Sequence, residues 1–70
     1  MSWNKNVFSS MVSEVGWDEA EGLLVTWAKS GKRSAYAGVP EDVAVALSNA
    51  PSVGTMLNED IKPYYPHRYV

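Results

Sequence analysis

The amino-acid sequence predicts an α+β domain, in which a three-stranded antiparallel β-meander is followed by two short helices and an extended C-terminal tail. Three observations lead to this fold class: alternating apolar residues in the first half of the chain, glycines at the turns between them, and apolar residues at helical spacing in the second half. The chain has 70 residues, which is near the lower limit for a domain that folds alone. We therefore expect one domain over residues 9–70, preceded by an N-terminal arm of residues 1–8.

The segment from Gly22 to Pro40 supplies the central hairpin of this fold. Residues 23–28 alternate between two faces and are rich in β-branched and aromatic side chains, which is typical of a strand. Gly31 suits the positive φ of a tight turn, and residues 34–36 resume the extended pattern until Pro40 ends it. This hairpin contains no catalytic motif.

The first strand of the meander is expected within residues 7–17, where Met11 and Trp17 share one parity. Residues 18–22 then form a hairpin loop, whose three carboxylates are expected to be solvated. Residues 1–6 form a loose segment that is polar except for Trp3, which we expect to pack on the domain's own surface. The alternative is that this indole contacts a partner or a second subunit.

Two helices are predicted after the hairpin. Pro40 suits the first turn of the first helix, and Pro51 ends it. The apolar stripe of this helix consists of Val43, Ala46, Leu47 and Ala50. Ser52 is well placed to cap a second helix, from Val53 to about Ile61. The apolar positions of the second helix are Val53, Met56, Leu57 and Ile61.

The composition excludes several classes of function. The chain has no cysteine and a single histidine, His67, so disulfides and a thiolate or imidazole zinc site are excluded. The formal net charge of -2 argues against generic nucleic-acid binding without excluding a local basic surface. No apolar stretch approaches the roughly 20 residues of a membrane span and no signal peptide is visible, so we expect a cytoplasmic protein without membrane contacts. Self-association stays open, because a small domain without disulfides often gains stability from a second subunit.

Two stretches have the chemistry to bind a ligand. In the hairpin turn, Lys29, Lys32 and Arg33 surround a Ser-Gly pair, and such a cluster can contact a phosphate through side chains and backbone N–H groups. The alternative is that these cations keep the hairpin tip soluble and protect its edge. In the tail, residues 62–70, tyrosines alternate with cations, a mixture that binds nucleotides or single strands. The alternative for the tail is that its tyrosines pack over the small core.

The candidate ligand-binding residues are therefore Lys29, Lys32, Arg33, Tyr36, Tyr64, Tyr65, His67 and Arg68. No residue is assigned to catalysis, to a metal or to a cofactor. A catalyst usually needs two polar groups positioned in a cleft, and the chain offers one histidine and solvated acids. We therefore expect a protein that is not an enzyme.

The order of these elements resembles the KTSC domain, a short module named after the C-terminus of some lysyl-tRNA synthetases. This family also occurs as free-standing small proteins in bacteria and phages. The resemblance runs from Ser9 or Ser10 to the C-terminus. The matching residues are Val15-Gly16-Trp17-Asp18, Leu23-Leu24-Val25-Thr26-Trp27, Ser30-Gly31, Tyr36-x-Gly38-Val39-Pro40, Val43, Leu47, Ala50-x-Ser52-Val53-Gly54, Asn58, Ile61 and Tyr65.

Two positions depart from the family pattern. The family's central Y-x-Y stands here as Ser34-Ala35-Tyr36, and Leu57 replaces the usual aromatic residue before Asn58. Both changes reduce the aromatic surface available for stacking. The resemblance implies a binding module without catalytic residues, since the family has been suggested to bind RNA and some phage members dock on host machinery, RNA polymerase included.

Two hypotheses for the function follow. In the first, the protein is a non-catalytic module that binds or sequesters a phosphate-bearing ligand, a nucleotide signal or RNA, through the hairpin turn and the tail. In the second, it docks on a host protein complex such as RNA polymerase and modulates it, with Trp3, Trp17 or the tail as aromatic anchors. Salt separates the two, because phosphate binding weakens steeply as salt rises and an apolar dock changes little. The first hypothesis also requires that the hairpin turn and the tail share one face.

Overall fold

A computed structural model of the protein describes residues 2–70 and contains a five-stranded antiparallel sheet. The strands are β1 (Ser2–Asn6), β2 (Val12–Asp18), β3 (Gly22–Trp27), β4 (Arg33–Tyr36) and β5 (His67–Tyr69). Each strand pairs with the next along the chain, so the order in the sheet is β1-β2-β3-β4-β5. The predicted α+β class is confirmed, while the prediction of three strands is wrong because β1 and β5 add one strand at each edge.

The segment predicted as a loose arm forms the edge strand β1, which pairs with β2 along its whole length. Side-chain hydrogen bonds on both faces hold this polar strand in place. Trp3 Nε1 donates to Glu41 Oε2 at 3.0 Å, and Arg33 Nη2 donates to Asn4 Oδ1 at 2.9 Å. The indole of Trp3 also packs against the core, so its predicted place on the domain's own surface is confirmed. Met1, the first residue of the predicted arm, lies outside the described residues.

The tail predicted to be extended contains a turn followed by the short strand β5. The backbone N–H groups of Tyr64 and Tyr65 each donate to Ile61 O at 3.0 Å, and this turns the chain back toward the sheet. Ala37 N then donates to Pro66 O at 3.0 Å, directly before β5 pairs with β4. The sequence does not reveal this strand, because three residues are too few to show an alternating pattern.

The first predicted strand begins later than expected, and its first buried residue is Val12 and not Met11. The chain passes through a loop at residues 7–11 before β2 begins at Val12. A register shift between Val12 and Glu14 marks an irregularity in the pairing of β2 with β3, and such a bulge moves side chains from one face to the other. As a result Val12 is fully buried, whereas Met11 is partly exposed.

The helical half consists of α1 (Glu41–Ser48), α2 (Val53–Met56) and a π-helical turn (Leu57–Ile61) that continues directly from α2. Pro40 is the N-cap of α1, and the Ser52 hydroxyl caps α2 by accepting a hydrogen bond from Thr55 N at 3.4 Å. The π-helical turn closes where Lys62 N donates to Leu57 O at 2.9 Å. Within residues 2–70, no helix has both the length and the apolar character to cross a membrane.

The helices pack on one face of the sheet, which we call the helix side, and the core lies between them. The buried members of this core are Val12, Val15, Leu23, Val25, Tyr36, Val39, Ala44, Leu47, Val53, Leu57 and Ile61. The predicted stripe of α1 is rotated, since Ala44 is buried beside Leu47 and Ala46 is exposed. Trp17 Nε1 donates to Val39 O at 2.9 Å and ties β2 to the chain just before α1. The opposite face of the sheet is called the open side below.

Candidate functional site

The turn between β3 and β4 presents two lysines to solvent. Gly31 has a φ of +72°, as its predicted place in a tight turn requires, and its N–H donates to Trp27 O at 2.9 Å. Ser30 Oγ accepts a hydrogen bond from Lys32 N at 3.2 Å. These bonds hold the backbone of the turn, and the side chains of Lys29 and Lys32 remain exposed.

The pairing of β4 with β5 brings the tail beside the hairpin. Ser34 lies opposite Tyr69, and Tyr36 lies opposite His67. Because Tyr36 belongs to the core and side chains alternate along a strand, these four residues lie on the helix side. The ring centroids of His67 and Tyr69 are 6.2 Å apart, in an edge-to-face arrangement. The hairpin and the tail therefore share a face through these residues.

Two aromatic rings on this face each have the ammonium group of a lysine above them. Trp27 Nε1 donates to Ser34 Oγ at 2.8 Å, and Lys62 Nζ lies 5.1 Å from the centroid of the Trp27 ring. Lys32 Nζ lies 5.9 Å from the centroid of the Tyr69 ring. Both distances are within the range of cation–π attraction. Since Ser34 is bonded to Trp27 and lies opposite Tyr69, the two rings are neighbours on one surface.

A shallow groove of about 240 Å³ borders the ring of Trp27 and is also lined by Lys29, Met11 and Ser10. This groove adds a third lysine to the surface. We call the whole surface the basic aromatic corner. It consists of Trp27, Lys29, Lys32, Lys62 and Tyr69.

Sequence reasoning did not assign Trp27, Lys62 or Tyr69 to the site. Trp27 has the pattern of a core residue in a strand, and Lys62 is far from it along the chain. Lys62 directly follows the π-helical turn and lies in the turn at residues 61–65 that returns the chain toward the sheet. Only the cluster of tyrosines and cations in the tail indicated that aromatic and basic side chains would meet.

The two arginines of the predicted site lie on the open side, away from the corner. Arg33 Nη2 reaches Asn4 on β1, and the Nε of Arg33 is buried. Arg68 Nη2 pairs with the carboxylate of Glu21. In this structure both guanidinium groups hold strands and turns together, and neither shares a surface with Lys32 and His67.

The tyrosines predicted to bind a ligand differ in their exposure. Tyr36 is only 1% exposed, and burial raises the pKa of its hydroxyl, with the nearby Tyr69 raising it further. Tyr65 is half-buried and packs against the core. Tyr64 is 73% exposed, and no ring or cation contact among the described residues joins it to the corner. Of the tail tyrosines, Tyr69 is the one that faces a lysine of the hairpin turn.

A second exposed feature lies in the loop between β1 and β2. The ring of Phe8 is wholly exposed, and Met11 is 37% exposed in the same loop. Grooves of about 270 Å³ and 360 Å³ border Phe8, and Pro51 and Val53 line both of them. A Cβ on Gly54 would lie 3.0 Å from Met11 Sδ. The absence of a side chain at this position lets α2 approach the loop closely.

The sheet, its helical cover and the basic aromatic corner define a small α+β domain with a basic surface beside the hairpin of β3 and β4. A family model described as KTSC domain matches residues 8–65. The chain therefore belongs to the KTSC domain family, and the resemblance found in its sequence is confirmed. It is also similar to the crystal structure of the KTSC domain protein YPO2434 from Yersinia pestis, with a TM-score of 0.85 and 25% sequence identity. That likeness covers 100% of this chain and 99% of the other, so it includes β1 and β5. A search of curated proteins found no match.

Proposed function

We propose that this domain is a non-catalytic module that binds a phosphate-bearing ligand, a nucleotide or single-stranded RNA, at the basic aromatic corner. The observation that supports this most is the pairing of two rings with ammonium groups: Lys62 with the half-buried ring of Trp27, and Lys32 with the exposed ring of Tyr69. A base can stack on the exposed ring of Tyr69 when Lys32 moves from above that ring to contact the phosphate. The corner thus offers a ring to the base of a nucleotide and an ammonium group to its phosphate.

The distribution of charge supports the same choice of surface. Within residues 2–70, no carboxylate lies within ion-pair distance of Lys29, Lys32 or Lys62, whereas Arg68 is paired with Glu21. A phosphate can therefore bind these ammonium groups without breaking an ion pair, and its binding releases counterions. The net charge of -2 then reflects acids located elsewhere, and it favours a short ligand over a long duplex.

The test uses fluorescence polarisation with a labelled single-stranded oligouridine as the probe, at low salt. We expect Lys32→Ala and Lys62→Ala each to weaken binding several-fold. Tyr69→Ala removes a stacking ring that is 68% exposed and should cost about 1–3 kcal/mol of binding free energy. Arg68→Ala is the matched control, because it removes the same charge on the open side and should leave the affinity within about twofold of the unaltered protein.

Competition with nucleoside di- and triphosphates then separates the two ligand classes. If a free nucleotide displaces the oligonucleotide at concentrations similar to those at which the oligonucleotide itself binds, the domain binds nucleotides. If only longer single strands compete, the domain binds RNA. Equal loss of affinity in Arg68→Ala and Lys32→Ala would contradict the proposed surface, because it would show binding by net charge alone.

Docking on a host protein complex, such as RNA polymerase, is the second candidate function, and the exposed ring of Phe8 favours it. A wholly exposed phenylalanine between two grooves resembles the aromatic anchors of protein interfaces. Trp3 and Trp17 are poorer anchors, because both indoles are half-buried and their N–H groups already donate to Glu41 and Val39. A pull-down that loses a host protein with Phe8→Ala but keeps it with Lys32→Ala would favour this function.

A further inference from the structure

The edge strand β1 has unpaired backbone groups along its outer side. Val7 N donates to Ser13 O at 3.1 Å, which continues the pairing of β1 with β2. In an antiparallel pair, residues alternate between those that bond to the partner and those that point away. The N–H and C=O groups of Asn4 and Asn6 therefore point outward, and no hydrogen bond among the described residues uses them.

This edge lacks the features that usually prevent strands from pairing. β1 contains no proline, and its register with β2 runs without a bulge. Its one charged side chain, Lys5, does not block the edge, because Lys5 Nζ donates to Asn49 Oδ1 on the helix side. Together with the bonds of Trp3 and Asn4, this contact fixes the strand to the rest of the domain. Exposed edges without such protection can accept another strand.

An exposed apolar residue of α1 lies beside this edge. Glu41 and Asn49 both contact β1, and on a helix the residues at i, i+4 and i+8 share one stripe. Val45 is the middle residue of that stripe and is 43% exposed. The outer boundary of the sheet thus combines free backbone groups with an apolar side chain above them.

We propose that the occupant of this edge is the β1 strand of a second copy of the chain, paired antiparallel about a two-fold axis at Asn4. Such pairing would join two five-stranded sheets into one continuous sheet, with both α1 helices on the same side. The outward groups of Asn4 would bond to Asn4 of the partner, and those of Asn6 to Ser2 of the partner. Val45 of each copy would then face its counterpart across the axis.

The charges along the edge are complementary in this arrangement. Glu41 lies near Trp3 at one end of β1, and Lys5 lies toward the other end. Antiparallel pairing centred on Asn4 places Lys5 directly opposite Trp3 of the second copy, where side chains of facing residues are close. Each Lys5 ammonium group therefore comes near the Glu41 carboxylate of the other copy. Parallel pairing would put like groups together, so the charges select the antiparallel arrangement.

The test is sedimentation equilibrium of the full-length protein over a series of concentrations. We expect twice the monomer mass at high concentration and dissociation on dilution. Asn6→Pro removes the outward N–H of Asn6 without removing a hydrogen bond within the chain, since proline is tolerated at an edge, and it should abolish the dimer. Asn6→Ala is the matched control and should keep it. Thermal unfolding of both variants shows whether the fold is retained.

A charge exchange tests the register, and thermal unfolding of its variants shows whether the fold survives the loss of the bonds to Trp3 and Asn49. Lys5→Glu and Glu41→Lys should each shift the protein toward the monomer, and the double variant should restore the dimer. A monomer at every concentration, a dimer that persists in folded Asn6→Pro, or a double variant that stays as monomeric as the single ones would each overturn the proposal. If the protein is a monomer at every concentration, the occupant of this edge would instead be an extended segment of another protein.

Discussion

Substitution of Gly16 by alanine should destabilise the protein through the contact between β1 and β2. A Cβ on Gly16 would lie 2.2 Å from Asn4 Oδ1 and 2.8 Å from Trp3 O. The Asn4 side chain can rotate away, but it would then lose its hydrogen bond from Arg33. The carbonyl of Trp3 belongs to the backbone and moves only if β1 separates from β2. Overpacking of this kind costs about 1–3 kcal/mol, and a lost hydrogen bond about 0.5–1.5 kcal/mol, so we expect Gly16→Ala to destabilise by about 2–4 kcal/mol.

Equilibrium unfolding in urea, followed by tryptophan fluorescence, measures this loss. Gly54→Ala is the matched control, since its new Cβ would meet the flexible end of Met11 while the helix gains up to about 1 kcal/mol in propensity. We expect Gly54→Ala to be neutral or slightly stabilising. In an Asn4→Ala background, the cost of Gly16→Ala should fall because only the clash with the Trp3 carbonyl remains. A free energy of unfolding for Gly16→Ala within about 0.5 kcal/mol of the unaltered protein would refute this reasoning.

Two further predictions concern the core and the start of α2. The raised pKa of Tyr36 means that the folded state holds this proton more tightly than the unfolded state does, so stability should be full below pH about 10 and fall as the pH rises further. Tyr36→Phe should flatten that alkaline fall in a pH series of thermal melts, and an unchanged slope would contradict the assignment. Ser52→Ala removes the cap on Thr55 N and should lower the free energy of unfolding by about 1 kcal/mol, whereas Ser52→Asp, which can also cap, should lose less. Equal losses in both variants would show that the cap contributes little.

The elements that the sequence predicts well are those set by local chemistry. The hairpin of β3 and β4 was visible because its alternation and the turn at Gly31 lie within one short segment. The starts of both helices were visible for the same reason, since Pro40 and Ser52 act on the residues that immediately follow them. The two edge strands were not visible, because each depends on a partner: β1 is held by side chains of α1 and β4, and β5 by its pairing with β4.

The sequence predicts the chemical type of the candidate site, a basic and aromatic surface, but not which residues form it. Lys32 lies in the turn and Arg33 begins β4, and these two neighbours end in different surroundings: Lys32 reaches Tyr69, and Arg33 reaches Asn4. In the tail, the register with β4 directs Tyr69 to the helix side and Arg68 to the open side. A shift of the register by one residue would exchange the sides of Tyr69 and Arg68. A strand of three residues contains no sequence pattern that predicts its register.

The salt dependence of oligouridine binding tests the proposed function most directly. Three lysines in contact with phosphates give a slope of about -2 in a plot of the logarithm of affinity against that of salt, because each contact on a single strand contributes about 0.7. We expect Lys32→Ala to reduce the slope by about that amount and Arg68→Ala to leave it unchanged. A flat slope for the unaltered protein, or no binding at low salt, would contradict a phosphate-binding corner and favour docking through Phe8 instead.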